Sequence, residues 1–151
     1  MSNRLLSKAA LSAAILSIGI YSTAHAHNGS ATLNPLGGNP SATDLAHITC
    51  YDDGNGNPAK LRVQIKDQSE PVDGLLLSVQ IYKGLKAISI TDPVSGDADY
   101  SQAIELDAGL GVYSVMVDKT AAGPRRFNLV WHCLTAENIH TGTDIVVRQI
   151  Q

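Results

Sequence analysis

GLGVYSVMVDKTAAGPRRFNLVWHC, residues 109 to 133, alternates twice. Tyr113, Val115 and Val117 share one face of a first strand, and Phe127, Leu129, Trp131 and Cys133 share one face of a second. Lys119 to Pro124 is a turn-rich connection, and Gly109 and Gly111 give the backbone freedom needed where the chain bends into the first strand. Read alone, the stretch predicts an antiparallel hairpin, apolar on one face and closing on a cysteine.

Upstream the same period recurs. Asp44 to Cys50 places Ala46, Ile48 and Cys50 on one face and Leu45, His47 and Thr49 on the other, and Leu61, Val63 and Ile65 alternate with Arg62, Gln64 and Lys66. Leu75 to Tyr82 turns Leu75, Leu77, Val79 and Ile81 inward; Ala87 to Ile90, the pair Ile104 and Leu106, and Ile145 to Ile150 supply three more short strands. Val94 to Tyr100 reads as an acidic loop. About eight strands, separated by Gly, Pro and Asp and with no amphipathic helix between them, predict an all-β fold: an antiparallel sandwich, immunoglobulin-like or jelly-roll-like. Intervals this rich in helix breakers do not form the crossover helices of an α/β alternative.

The amino end has a different character. Arg4 and Lys8 precede an apolar run from Ala9 to Ile20, followed by Ala24-His25-Ala26. Residues 1–26 therefore read as a cleaved export signal, the apolar run being shorter than the ~20 residues of a membrane span. Cleavage after Ala26 leaves His27 first; cleavage after Ala24 leaves His25-Ala26-His27. Residues 27–42, rich in Gly, Pro, Asn and Ser, are predicted to be a flexible arm before a domain over 43–151. A periplasmic or secreted location follows, with no span after signal removal. Without Arg4 and Lys8 the eleven basic residues fall to nine against fourteen acidic ones, a formal charge of −5, which disfavours nucleic acid as a partner.

Cys50 and Cys133 are the only cysteines, and in an oxidising compartment they are expected to form one disulfide, worth roughly 4–5 kcal/mol in the loop-entropy model. No G-x-S-x-G, HExxH or phosphate-cradling glycine loop is present, so no enzyme activity is predicted.

The segment Thr43 to Cys133 resembles the bacterial pre-peptidase C-terminal domain, a β-sandwich appended to many secreted proteases. The resemblance lies in the opening Thr43-Asp44 strand, the Leu75–Tyr82 strand followed by Lys83-Gly84, and the closing Gly109–Cys133 stretch. It covers about 90 residues. It implies a fold and an accessory role, binding an exported protein or polysaccharide, and no catalytic residue.

Histidines carry the metal chemistry. A terminal His27 offers an amine and an imidazole together, and a histidine in third place chelates with the amine and intervening amides; both sets are nitrogen-rich and tetragonal, which favours copper. His47, His132 and His140 are the candidate additional ligands. Were Cys50 and Cys133 paired on adjacent strands, His47 and His132 would lie roughly 13 Å apart along the strands and could not share an ion. A disulfide crossing between sheets removes that limit. Copper-dependent oxidation of a polysaccharide is a further option, though aromatic residues for a sugar platform are few. Asp53, Asn55 and Asn57 begin like a calcium loop but lack the glycine at Pro58 and a closing glutamate, so a plain turn is expected. Asp92, Asp97 and Asp99 form a second acidic cluster, and Trp131 is expected to pack beside the disulfide.

Overall fold

The computed structural model describes residues 27–151. The predicted export signal and both of its possible cleavage points before residue 27 lie outside the described residues. Nine strands follow one another: β1 (His27–Leu33), β2 (Asp44–Tyr51), β3 (Lys60–Asp67), β4 (Leu77–Lys83), β5 (Lys86–Thr91), β6 (Ile104–Asp107), β7 (Gly111–Lys119), β8 (Arg125–Leu134) and β9 (Gly142–Gln149). They form two antiparallel sheets, ordered β1-β8-β3-β6 and β5-β4-β7-β2-β9, with no helix among the described residues. The fold is the expected antiparallel sandwich.

Two expectations are corrected. The Gly109–Cys133 stretch is not a hairpin: β7 pairs with β2 and β4, whereas β8 pairs with β1 and β3 in the opposite sheet. Its connection crosses between the layers, and the two alternating apolar faces meet across the core. Alternation identifies which side chains face inward but not which sheet carries them, so the same pattern fits either arrangement.

The second correction concerns residues 27–42. Its first seven residues form β1, paired with β8 from His27 opposite Trp131 to Leu33 opposite Arg125. Backbone pairing holds this strand, for its inward positions are small at Gly29 and Ala31 and only Leu33 is fully buried. Asn34 then adopts φ 52°, and the chain turns away through Gly37.

The core is built from the inward positions of both sheets. Leu61, Val63 and Ile65 of β3 oppose Leu77, Val79 and Ile81 of β4, all fully buried, and Leu75 is buried ahead of β4. The Cys50–Cys133 disulfide, with Cα atoms 5.5 Å apart, joins β2 to β8 and so crosses between the sheets. Below it, Asp67 and Arg125 form a buried ion pair, 3.3 Å between Oδ2 and the guanidinium.

The two flanks of the sandwich differ. On one side β5 and β6 touch across the layers; on the other the edges β1 and β9 scarcely meet. Between them lies an apolar cleft, whose walls include Gly29, Ala31, Ala46 and Trp131. Small residues at three of these inward positions leave the space that larger ones would fill.

Candidate functional site

Three of the four proposed histidine ligands come to one end of the four-stranded sheet. His27 opens β1 opposite Trp131, the two rings 6.3 Å apart and near parallel. His132, the next residue of β8, points to the outer face opposite Arg62 of β3. The segment after β8 carries His140 back onto it, with ring centroids 4.4 Å apart in an edge-to-face arrangement.

Local chemistry explains that return. Thr135 Oγ1 accepts hydrogen bonds from the backbone of Glu137 and Ile139, the Thr135 N–H donates to Ile139 O, and Asn138 takes a left-handed φ of 65°. Threonine at the start and asparagine at the tight position suit this turn. His140 then bridges to Leu134 and Thr141 N–H donates to Cys133 O, fixing the loop against β8. His140 is thus held against β8 by backbone pairing.

His132 is half-buried and its Nδ1 has no hydrogen-bond partner. Burial, with the neighbouring His140, Arg62 and His27, pushes its imidazole from 6.5 down to about 4. A ring held neutral at physiological pH, with a buried lone nitrogen, has the electronic state of a metal ligand.

His47 stands elsewhere. It lies on β2 in the other sheet, facing outward, and its Nδ1 accepts a hydrogen bond from Arg148 at 3.2 Å. The inter-sheet disulfide does lift the register limit, but it does so by placing His47 and His132 on opposite outer faces of the sandwich, so they share no ion.

Among the described residues no three His, Cys, Asp or Glu side chains converge closely enough to hold a metal. The His132–His140 pair therefore offers two ligands on the outer face of β8, while the His27 ring stands beside Trp131 on the inward face and does not join them.

The remaining candidates resolve into structural turns. Asp52 Oδ1 accepts from the N–H groups of Gly54 and Gly56, and Asp53 Oδ1 from Asn55 and Thr141, so carboxylate oxygens in this loop already serve the fold. Asn57 is exposed beside them. Asp97 accepts from Asp99 N–H, whereas Asp92 is buried, with burial the main cause of its raised pKa. Trp131, 4% exposed, belongs to the core cluster that also holds Cys50 and Cys133.

Sequence reasoning missed Asp67, Arg125 and the cleft. Asp67 ends a cleanly alternating strand and Arg125 follows a proline turn, positions that normally carry solvated charge. Compared with known protein families, curated proteins and solved structures, the chain matches none of them.

Proposed function

We propose that this is an exported β-sandwich that binds a transition metal, copper first, through His27, His132 and His140, for storage, delivery or sensing in the periplasm. The observation carrying the reading is the 4.4 Å pairing of His132 with His140 at the end of the sheet where β1 begins. With metal–nitrogen bonds of about 2 Å and each ring centroid roughly 1.2 Å behind its nitrogen, that spacing subtends about 90° at an ion, as adjacent corners of a square plane do. In a chain beginning at His27, its terminal amine is the proposed third ligand, the His27 ring standing beside Trp131 on the other face of the sheet. Three nitrogens, two from side chains of β8 and its following loop and one from a terminal amine, make a set that favours Cu(II). The disulfide beside His132 supports an oxidising compartment.

The test uses the full chain expressed with export. Mass spectrometry establishes the first residue, and calorimetric titration with Cu(II) follows for the native protein, a version with one alanine inserted before His27, and the variants His140→Ala and His47→Ala. We expect the insertion and His140→Ala each to weaken binding by more than about tenfold, and His47→Ala to leave it unchanged. Equal affinity with and without the inserted alanine overturns the reading.

A second reading is a metal-free accessory module, a free-standing relative of the pre-peptidase C-terminal domain that binds an exported protein or polysaccharide. It draws on the outer face of the four-stranded sheet, where Arg62, Gln64 and Lys66 line β3 and the Lys66 ammonium lies 4.3 Å over the Tyr100 ring. Absence of Cu(II) binding by every version would favour it.

A further inference from the structure

Two open sheets leave four edge strands among the described residues: β1 and β6 on one sheet, β5 and β9 on the other. A bare edge is a template for another strand, and proteins blunt it with charge, brevity or irregularity. β6 is four residues long and carries Glu105 and Asp107; β9 carries Asp144 and Arg148 and pairs irregularly with β2 between Leu45 and Ala46; β1 has Gly29 in its interior and only small or polar side chains before Leu33. β5 uses none of these devices. After Lys86 it reads Ala-Ile-Ser-Ile-Thr, uncharged, free of Gly and Pro, rich in β-branched residues and in unbroken register with β4.

We propose that β5 pairs antiparallel with β5 of a second copy of this chain, about a two-fold axis through Ser89. The β4–β5 hairpin decides which backbone groups are free to do so. Lys83 faces Lys86 across the two-residue turn Gly84-Leu85, with Gly84 at φ 59°, and the residues flanking such a turn exchange both of their hydrogen bonds. Alternation then directs the N–H and C=O groups of Lys86, Ile88 and Ile90 to β4 and those of Ala87, Ser89 and Thr91 away from it. Ala87, Ser89 and Thr91 are exposed, and their main chains bond to no other described segment.

The free edge is complementary to itself. Centred on Ser89, an antiparallel pair sets Ala87 opposite the partner's Thr91, and the outward groups of both copies form about six backbone hydrogen bonds. Lys86 precedes the uncharged run, while Asp92 and the exposed Asp97 and Asp99 follow it. Antiparallel pairing therefore brings the basic end of one copy to the acidic end of the other, whereas a parallel pair would set like charges together. Leu85, 108% exposed at the turn, comes to the end of the partner strand where Val94 is 49% exposed. Ile88 and Ile90 keep their packing against the core. The contact runs along only roughly 20 Å of strand edge and is smaller than the ~1,000 Å² of a stable interface, so we expect a transient dimer with Kd of about 0.1 mM.

The full chain, exported and purified with a chelator so that no metal bridges two copies, is followed by sedimentation and by amide hydrogen exchange. We expect the weight-average mass to rise from monomer toward dimer as concentration increases from about 10 μM to about 1 mM. Over that range exchange at the Ala87, Ser89 and Thr91 amides should slow about fourfold, while the Lys86, Ile88 and Ile90 amides, already bonded to β4, keep their rates. Ser89→Pro removes the central outward N–H without touching a bond to β4, a position where an edge strand tolerates proline, and should weaken dimerisation by at least about tenfold. Ser89→Lys, which sets two ammonium groups together at the axis, is the second variant should the first fail to fold. Val112→Lys, on the outer face of the same sheet, should leave the dimer intact, as should His140→Ala, so this inference and the metal reading fail separately. A monomer at every concentration, unchanged association in a folded Ser89 variant, loss of the dimer in folded Val112→Lys, or protection that does not alternate along β5 overturns the proposal.

Discussion

Replacing Arg125 with methionine should destabilise the domain by about 3–5 kcal/mol, more than any surface change. Arg125 is 1% exposed and Asp67 fully buried; the guanidinium donates to Asp67 Oδ2 at 3.3 Å and to Glu70 O at 2.7 Å. The carboxylate has two further donors, Gly96 N–H at 3.1 Å and Ser69 N–H at 2.9 Å. Methionine fills similar space but leaves Asp67 charged, buried and without its counter-ion. Neutralising the partner as well should recover part of the loss, because the asparagine of Asp67→Asn retains an oxygen for one of the two N–H donors and carries no charge. The double variant is therefore expected to be more stable than the sum of the singles by about 2 kcal/mol. For a domain of this size, whose total stability is of the order of 10 kcal/mol, the single change is a large fraction, equivalent to a fall of about 11–19 °C in Tm. Urea unfolding followed by the emission of Trp131 measures it, with the disulfide left oxidised so that the unfolded chain is comparable throughout. A loss below about 1 kcal/mol for Arg125→Met, or strict additivity in the cycle, would refute the claim that this pair is an interdependent buried unit.

Two other outcomes are expected. Replacing both cysteines with alanine opens an 83-residue separation and should cost about 4.5 kcal/mol by loop entropy; urea midpoints of the oxidised and cysteine-free proteins test this, and a difference under about 1 kcal/mol would contradict it. His132 is depressed to about 4 in the fold against 6.5 when free, so between these values the unfolded chain binds the extra proton and stability must fall as pH falls. Discounted for partial exposure, the loss is about 1–2 kcal/mol, and His132→Gln should flatten that part of the profile in metal-free protein; an identical slope in the variant would remove His132 as its source.

The inward alternation of β2, β3, β4, β7 and β8 was legible because one apolar face of each strand meets one core. β1 was not legible: His-Asn-Gly-Ser-Ala-Thr-Leu has weak strand propensity, and its place depends on hydrogen bonding to β8, which leaves no mark on side-chain pattern. For the same reason the Gly109–Cys133 stretch showed its apolar faces but not its division between sheets. Among the histidines, His27 drew attention through its position after the predicted cleavage site. His140 meets His132 only because Thr135 and Asn138 shape the intervening turn. His47 was indistinguishable from His132 by pattern, since both occupy outward strand positions and only the path of the disulfide separates them. The Asp67–Arg125 pair was hidden at strand ends, where sequence cannot tell a solvated charge from an enclosed one.

The cystine sits one strand inboard of each edge of the open flank, joining β2, neighbour of β9, to β8, neighbour of β1. It works as a rivet set close to the lips of a clasp. The layers cannot swing apart there while the bond is intact; without it, side-chain packing alone holds the two sheets together beside the open flank.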